Sequence, residues 1–218
     1  MEKETVNSAT DILSAYMKYV LENGTRPKSI YLFARHLGIN ETQFYNQFAS
    51  FDKIEKSIFK AFFDNTISLL EEDSAFHSFD AQNKLISFYF TFFEVLKANR
   101  SYVVLTLEKE KNKLMFHPAL IELKKAFIEF VGQLDIHTMR FKEAKMEKAK
   151  NQGLTNIFWA QLLFTLRFWL DDDSTGFSTT DIFIEKSMKT GMAFLDASTL
   201  ESVIDLGKFL FKEKIMTK

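Results

Sequence analysis

The chain has 218 residues, with 28 Lys+Arg against 29 Asp+Glu for a formal net charge of −1, and it holds 25 Phe but only 7 Gly, 2 Pro and no Cys. Average usage would give roughly 15 Gly and 11 Pro at this length, so turn-formers are too few for an all-β sandwich or barrel, which needs a turn every ~8–12 residues. The absence of Cys excludes disulfide scaffolds, thiolate catalysis and Cys-ligated zinc, and the balanced charge demands neither nucleic acid, membrane nor an acidic substrate. What remains is an all-helical chain with few breaks.

The first helix is expected over 8–23, with Ile12, Leu13, Tyr16, Tyr19 and Val20 at helical spacing. Gly24 suits its stop, and Pro27 suits the first position of a second helix. That helix carries Ile30, Phe33, Ala34 and Leu37 on one face and ends at Gly38. Asn40 is the N-cap expected for a short third helix, Glu41 to Gln47, with Phe44, Tyr45 and Phe48 pointing inward. Ser50 is the next N-cap candidate, opening a long helix over about 51–72.

Later segments are also helical. Segment 80–98 is apolar nearly all round, so it should be buried on more than one side. Segment 101–112 is amphipathic. Pro118 is expected to open a long helix from about 117 that Gly153 ends. Segment 154–170 is again apolar nearly all round but too short for a membrane span. A loop is expected over 171–176, then amphipathic helices over 179–195 and 199–214.

Three short helices, the second ended by Gly38 and the third polar, follow the helix-turn-helix plan. The third would expose Glu41, Thr42, Gln43, Asn46 and Gln47. Gln and Asn can bond adenine edges bidentately, and Thr can contact a thymine methyl. Short polar helices are also common packing units, so the pattern alone leaves DNA binding and plain packing both open.

Residues 12–54 resemble the DNA-binding domain of the tetracycline-repressor (TetR) family. The resemblance rests on Ile12-Leu13, Glu22-x-Gly24, Ile30, Phe33-Ala34, Gly38-Ile39, Phe44-Tyr45, Phe48, Ser50 and Ile54, and on the run FARHLGINETQFYNQFAS. It implies a domain over 1–52 that binds DNA and a domain over 53–218 that binds ligand and dimerises. It implies backbone contact by Tyr45, base-edge positions for Thr42 and Gln43, and phosphate contact near Lys28 and Ser29. Two positions depart from the family. Phe51 stands where a lysine is usual, and Glu41 where a basic residue is frequent. Residues 1–60 carry eight Lys/Arg against seven Asp/Glu, a weak footprint for phosphate. Lys53, Lys28 and Arg26 are the cations that could replace the missing one. Lys28, Ser29, Thr42, Gln43, Tyr45, Asn46, Gln47 and Lys53 make the expected DNA-binding set.

The resemblance also implies an apolar ligand cavity in the second domain. Phe88, Phe92, Phe116, Phe158, Trp159 and Leu162 are its candidate lining, although plain core packing explains most such residues equally well. Arg167, inside an apolar helix, would either anchor a ligand anion or pair with Asp171 four residues on. Segments 154–170 and 179–195 correspond to the family's dimer-forming helices, and the basic end of the last helix could touch a membrane surface.

Enzyme signals are absent from the motifs. The four histidines, His36, His77, His117 and His137, show no metal-protease spacing, and no phosphate-loop, dinucleotide or nucleophile-elbow pattern occurs. The expectation is a cytoplasmic, homodimeric, non-enzymatic regulator with no metal and no cofactor. Its partners would be a pseudo-palindromic double-stranded DNA operator and a small hydrophobic ligand, without stable membrane insertion. The alternative is a TetR-fold carrier of lipid or another hydrophobic ligand that has lost DNA binding.

Overall fold

A computed structural model describes residues 8–134, 136 and 144–195. Among them there are helices and no strands, as the scarcity of turn-formers implies. The chain divides into two compact units. The first contains residues 1–72 and 91–127, and the second residues 73–90 and 128–218. The expected helix over 199–214 lies outside the described residues.

The first unit begins with α1 (Ala9–Asn23), α2 (Ile30–Leu37) and α3 (Glu41–Tyr45). Ser8 and Asp11 form a reciprocal capping box at the start of α1. Gly24 and Gly38 end α1 and α2 in the left-handed conformation, with φ of 67° and 74°. A side chain is disfavoured there, which is why the two glycines were readable as stops. Pro27 is different from expectation. It is buried but lies upstream of α2, whose N-cap is Ser29 accepting from the Leu32 amide at 3.2 Å. The serine hydroxyl accepts from a first-turn amide, whereas a start at Pro27 would make Arg26 the cap, which has no side-chain acceptor, so the serine sets the boundary.

The long helix α4 (Phe51–Glu72) follows, with Ser50 accepting from the Lys53 amide. Tyr16, Phe33 and Phe44, one from each short helix, form the aromatic centre of this region. Helix α7 (Arg100–Leu107) packs on α1. It ends earlier than the amphipathic pattern implied and continues as a 3-10 segment, Glu108–Phe116. That segment is kinked at Glu110 and Lys113, so its faces no longer follow helical spacing. Leu114 takes the buried position. Pro118 opens a 3-10 turn, Pro118–Leu120, against α4, and α8 (Ile121–Gln133) continues from it.

The second unit includes α5 (Ser74–Ser78) and α9 (Ala144–Asp171), which packs on α10 (Ser178–Leu195). Helix α6 (Ala81–Ala98) crosses the unit boundary. Gly153 does not end a helix as expected. It lies inside the 28 residues of α9, exposed. A single glycine weakens a helix by only about 1 kcal/mol, and the buried Thr155, Phe158, Trp159 and Leu162 that follow outweigh it. Asp172 organises the turn after α9. Its carboxylate accepts from the Ser174 amide (2.9 Å), the Thr180 amide (2.9 Å) and the Thr180 hydroxyl (2.6 Å). In the same turn Gly176 and Phe177 both have positive φ, 69° and 65°. The Phe177 ring lies 5.7 Å from Trp169.

Candidate nucleic-acid interface and regulatory core

Helices α2 and α3 meet across Gly38–Asn40 with the polar side of α3 outward. Thr42, Gln43, Tyr45, Asn46 and Gln47 are all exposed, Tyr45 at 52%. Helix α3 is shorter than expected, so Asn46 is its C-cap and Gln47 lies in the turn beyond. Tyr45 was expected to point inward by periodicity and outward by family resemblance. It is outward, its ring edge-on to Phe44 at 5.7 Å.

Gln43 has a local task that base-reading logic passes over. Its amide oxygen accepts from the Asn40 backbone at 2.9 Å, while Asn40 Oδ1 accepts from the Gln43 backbone at 2.8 Å. This is a capping box, and the spacing Asn40-x-x-Gln43 was its sequence signal. A bidentate adenine contact uses both ends of the amide, so Gln43 can offer its NH2 group to a base only in addition to the cap. Ser29 is similarly engaged as the cap of α2, and Lys28 beside it is exposed.

The cations expected to replace the missing lysine are differently placed. Arg26 bonds Asp52 at 3.0 Å and lies 3.5 Å from Glu55. Lys53 lies 3.9 Å from Glu122. Phe51 has its own structural cause. Its ring stands 5.6 Å from Tyr16, 5.7 Å from Phe33 and 6.0 Å from Phe44. The phenylalanine closes the aromatic centre of the small helices, work that a lysine could do only with its methylenes.

In the second unit, Phe88, Phe158, Trp159 and Leu162 are buried. The Phe88 ring lies 5.1 Å from Phe130, tilted by 33°, and the buried Tyr89 hydroxyl donates to the Phe158 carbonyl at 3.3 Å. Arg167 bonds Asp171 at 3.2 Å, the intrahelical partner anticipated as its alternative to a ligand. Phe92 is buried in the first unit. Phe116, also in the first unit, is 85% exposed, so as a cavity wall it is misplaced. The kinked 3-10 segment turns Leu114 inward and leaves Phe116 outside.

Helices α9 and α10 expose an apolar strip. Ile157 is 56% and Phe164 64% exposed, and Ile182 is also open. Phe164 and Phe168 lie 5.7 and 4.6 Å from Phe183, joining the two helices at this surface. Gln161 Nε2 donates to Ser187 at 3.0 Å beside them.

Residues 84–210, more than half of the chain, match the family model of the tetracyclin repressor-like C-terminal domain. The chain belongs to the tetracycline repressor-like family. The match lies wholly outside residues 12–54, on which the sequence resemblance rested, so the two observations are independent. The described residues are all-helical and begin with the three short helices α1–α3, consistent with a helix-turn-helix domain. A comparison with curated proteins returns no match. Among the described residues no helix is long and apolar enough to cross a membrane.

Proposed function

We propose that this TetR-family chain is a non-catalytic, cytoplasmic transcriptional regulator that binds a pseudo-palindromic duplex operator as a homodimer. The observation that carries the reading is the polar face of α3, with Thr42, Tyr45, Asn46 and Gln47 exposed beyond the tight Gly38–Asn40 turn. The exposed strip of Ile157, Phe164 and Ile182 on α9 and α10 supports a partner subunit there, since adjacent apolar side chains gain by leaving water. A twofold dimer sets two copies of α3 roughly 34–36 Å apart, one DNA turn. A small hydrophobic ligand bound better in one of two dimer states would shift operator affinity by its differential affinity.

The test is selection of duplexes from a random-sequence pool at low salt, followed by Tyr45→Ala. A consensus with two related half-sites, weakened by Y45A in a protein that remains dimeric, supports the reading. Recovery of no consensus sinks it. A second reading has its own support. With Phe51 in the aromatic centre, and Arg26 and Lys53 beside carboxylates, little positive charge is left for phosphate. In that case the chain is a hydrophobic-ligand carrier without DNA binding, and solvent extraction of purified protein should release a stoichiometric lipid.

A further inference from the structure

Within the first unit lies a polar pocket of about 550 Å³, unlike the apolar ligand space expected of the second domain. Its walls come from α1, the start of α4, α7 and the 3-10 segments after it. The volume is in the range that takes a small metabolite.

Its charge is unequal. Asp52, Glu55 and Glu110 face the pocket, against Arg26 and Lys109. Arg26 is shared between two carboxylates, Asp52 at 3.0 Å and Glu55 at 3.5 Å. That trio therefore retains one negative charge. Glu55 is fixed in place, because its other oxygen accepts from the Tyr16 hydroxyl at 2.6 Å. His117 adds no charge. Burial lowers its pKa against the pull of Glu110 and Glu55, and its Nδ1 already accepts from the Ala119 amide at 3.3 Å.

The second observation is Tyr102. It is 1% exposed and lines the pocket, yet its hydroxyl has no hydrogen-bond partner. The Thr106 hydroxyl beside it donates instead to Tyr102's own backbone carbonyl, at 2.9 Å. A buried phenol without a partner is unfavourable unless something supplies one. A donor from a cationic group would serve. It would donate a hydrogen bond to the phenol oxygen and stand beside Glu55, with the Tyr16 and Tyr102 rings as favourable neighbours for positive charge.

We infer that this pocket binds a small organic cation, an amine or guanidinium compound, held by Glu55 and the Tyr102 hydroxyl. An anion is disfavoured by three carboxylates. An apolar molecule would leave the tyrosine hydroxyl unsatisfied. Occupancy would be felt at the first turn of α4, because the incoming cation competes with Arg26 for Asp52 and Glu55. An effect of this competition on operator affinity rests on the regulator reading, whereas the binding itself does not.

The experiment is calorimetric titration of the full chain, without DNA, with agmatine and putrescine at low ionic strength, and with succinate as the anionic control. One-site saturable binding of an amine is expected. Glu55→Gln should weaken it roughly tenfold or more, the scale of one charge-assisted hydrogen bond. Tyr102→Phe should weaken it several-fold while leaving the melting temperature of the unliganded protein unchanged or raised, since an unpartnered hydroxyl contributes nothing to be lost. Should E55Q unfold the chain by loosening Tyr16, Y102F carries the test alone. The inference is overturned if neither amine saturates at millimolar concentration, if succinate binds in preference, or if Y102F lowers the unliganded melting temperature. Because no DNA is present, a negative result leaves the operator reading standing, and the reverse also holds.

Discussion

Replacing Phe51 by lysine tests both halves of its role at once. The ring makes three aromatic contacts, at 5.6, 5.7 and 6.0 Å, with residues from α1, α2 and α3. Such pairs contribute about 0.5–1.5 kcal/mol each beyond area burial. The lysine methylenes would keep part of the covered surface, and the three pairs share rings, so simple addition overshoots. A net loss of about 2–3 kcal/mol is expected, which for a chain of this length lowers the melting temperature by roughly 4–12 °C. Phe116→Lys is the control. Being 85% exposed, it should change stability by no more than about 0.5 kcal/mol. Thermal unfolding followed by circular dichroism measures both. An F51K melting temperature equal to that of F116K would refute the claim that the ring closes the aromatic centre. On DNA the same substitution adds one cation where the family usually has it. The slope of log affinity against log salt should steepen by about 0.9, one phosphate's worth. An unchanged slope would mean that position 51 does not face the backbone.

Further outcomes follow from particular bonds. Gln43→Ala removes one side of the α3 capping box and should destabilise the chain by about 1 kcal/mol without DNA, measurable by urea denaturation; Gln43→Glu, which keeps the acceptor, should not. Asp172→Ala removes acceptors for two amides and a hydroxyl, and a loss of about 2–4 kcal/mol is expected because the buried Thr180 groups are left bare; a loss below about 0.5 kcal/mol would contradict it. His117 has a lowered pKa, chiefly from burial, so the folded chain binds its proton less readily than the unfolded one. Its contribution is therefore complete above the ordinary value of 6.5 and declines as pH falls through it toward the lowered folded value. Denaturation midpoints should drop across that window, and His117→Gln should flatten the drop.

The helical breaks that were legible in the sequence are those with a local stereochemical cause. Gly24 and Gly38 end helices because each must adopt positive φ, and Asn40 was readable as a cap because its side chain acts within three residues. Pro27 and Gly153 were misjudged for the converse reason. Both residues permit a boundary without requiring one, and the outcome was decided by the Ser29 cap and by the buried face of α9. Phe116 fails as cavity lining because the 3-10 segment, kinked at Glu110 and Lys113, buries Leu114 and leaves Phe116 outside, a local backbone course that residue type does not encode. In the candidate interface the polar residue type announced the exposure of Thr42, whereas for Tyr45 periodicity pointed inward and only the family resemblance pointed outward. Residue type could not announce that Gln43 would be engaged in a cap, nor that Arg26 would meet Asp52, 26 positions away. The polar pocket was invisible in the sequence for the same reason. Tyr16, Glu55 and Tyr102 approach one another only after folding.

Phe177 places two opposed demands on one position. Its backbone φ of 65° favours glycine, and a left-handed conformation disfavours a bulky residue by roughly 1–2 kcal/mol. Its ring, 5.7 Å from Trp169, requires a large aromatic side chain. Glycine would relieve the backbone and lose the ring; leucine would keep bulk and retain the strain. Few residues satisfy both conditions, so in a library of variants position 177 should accept far fewer amino acids than its partial exposure would suggest.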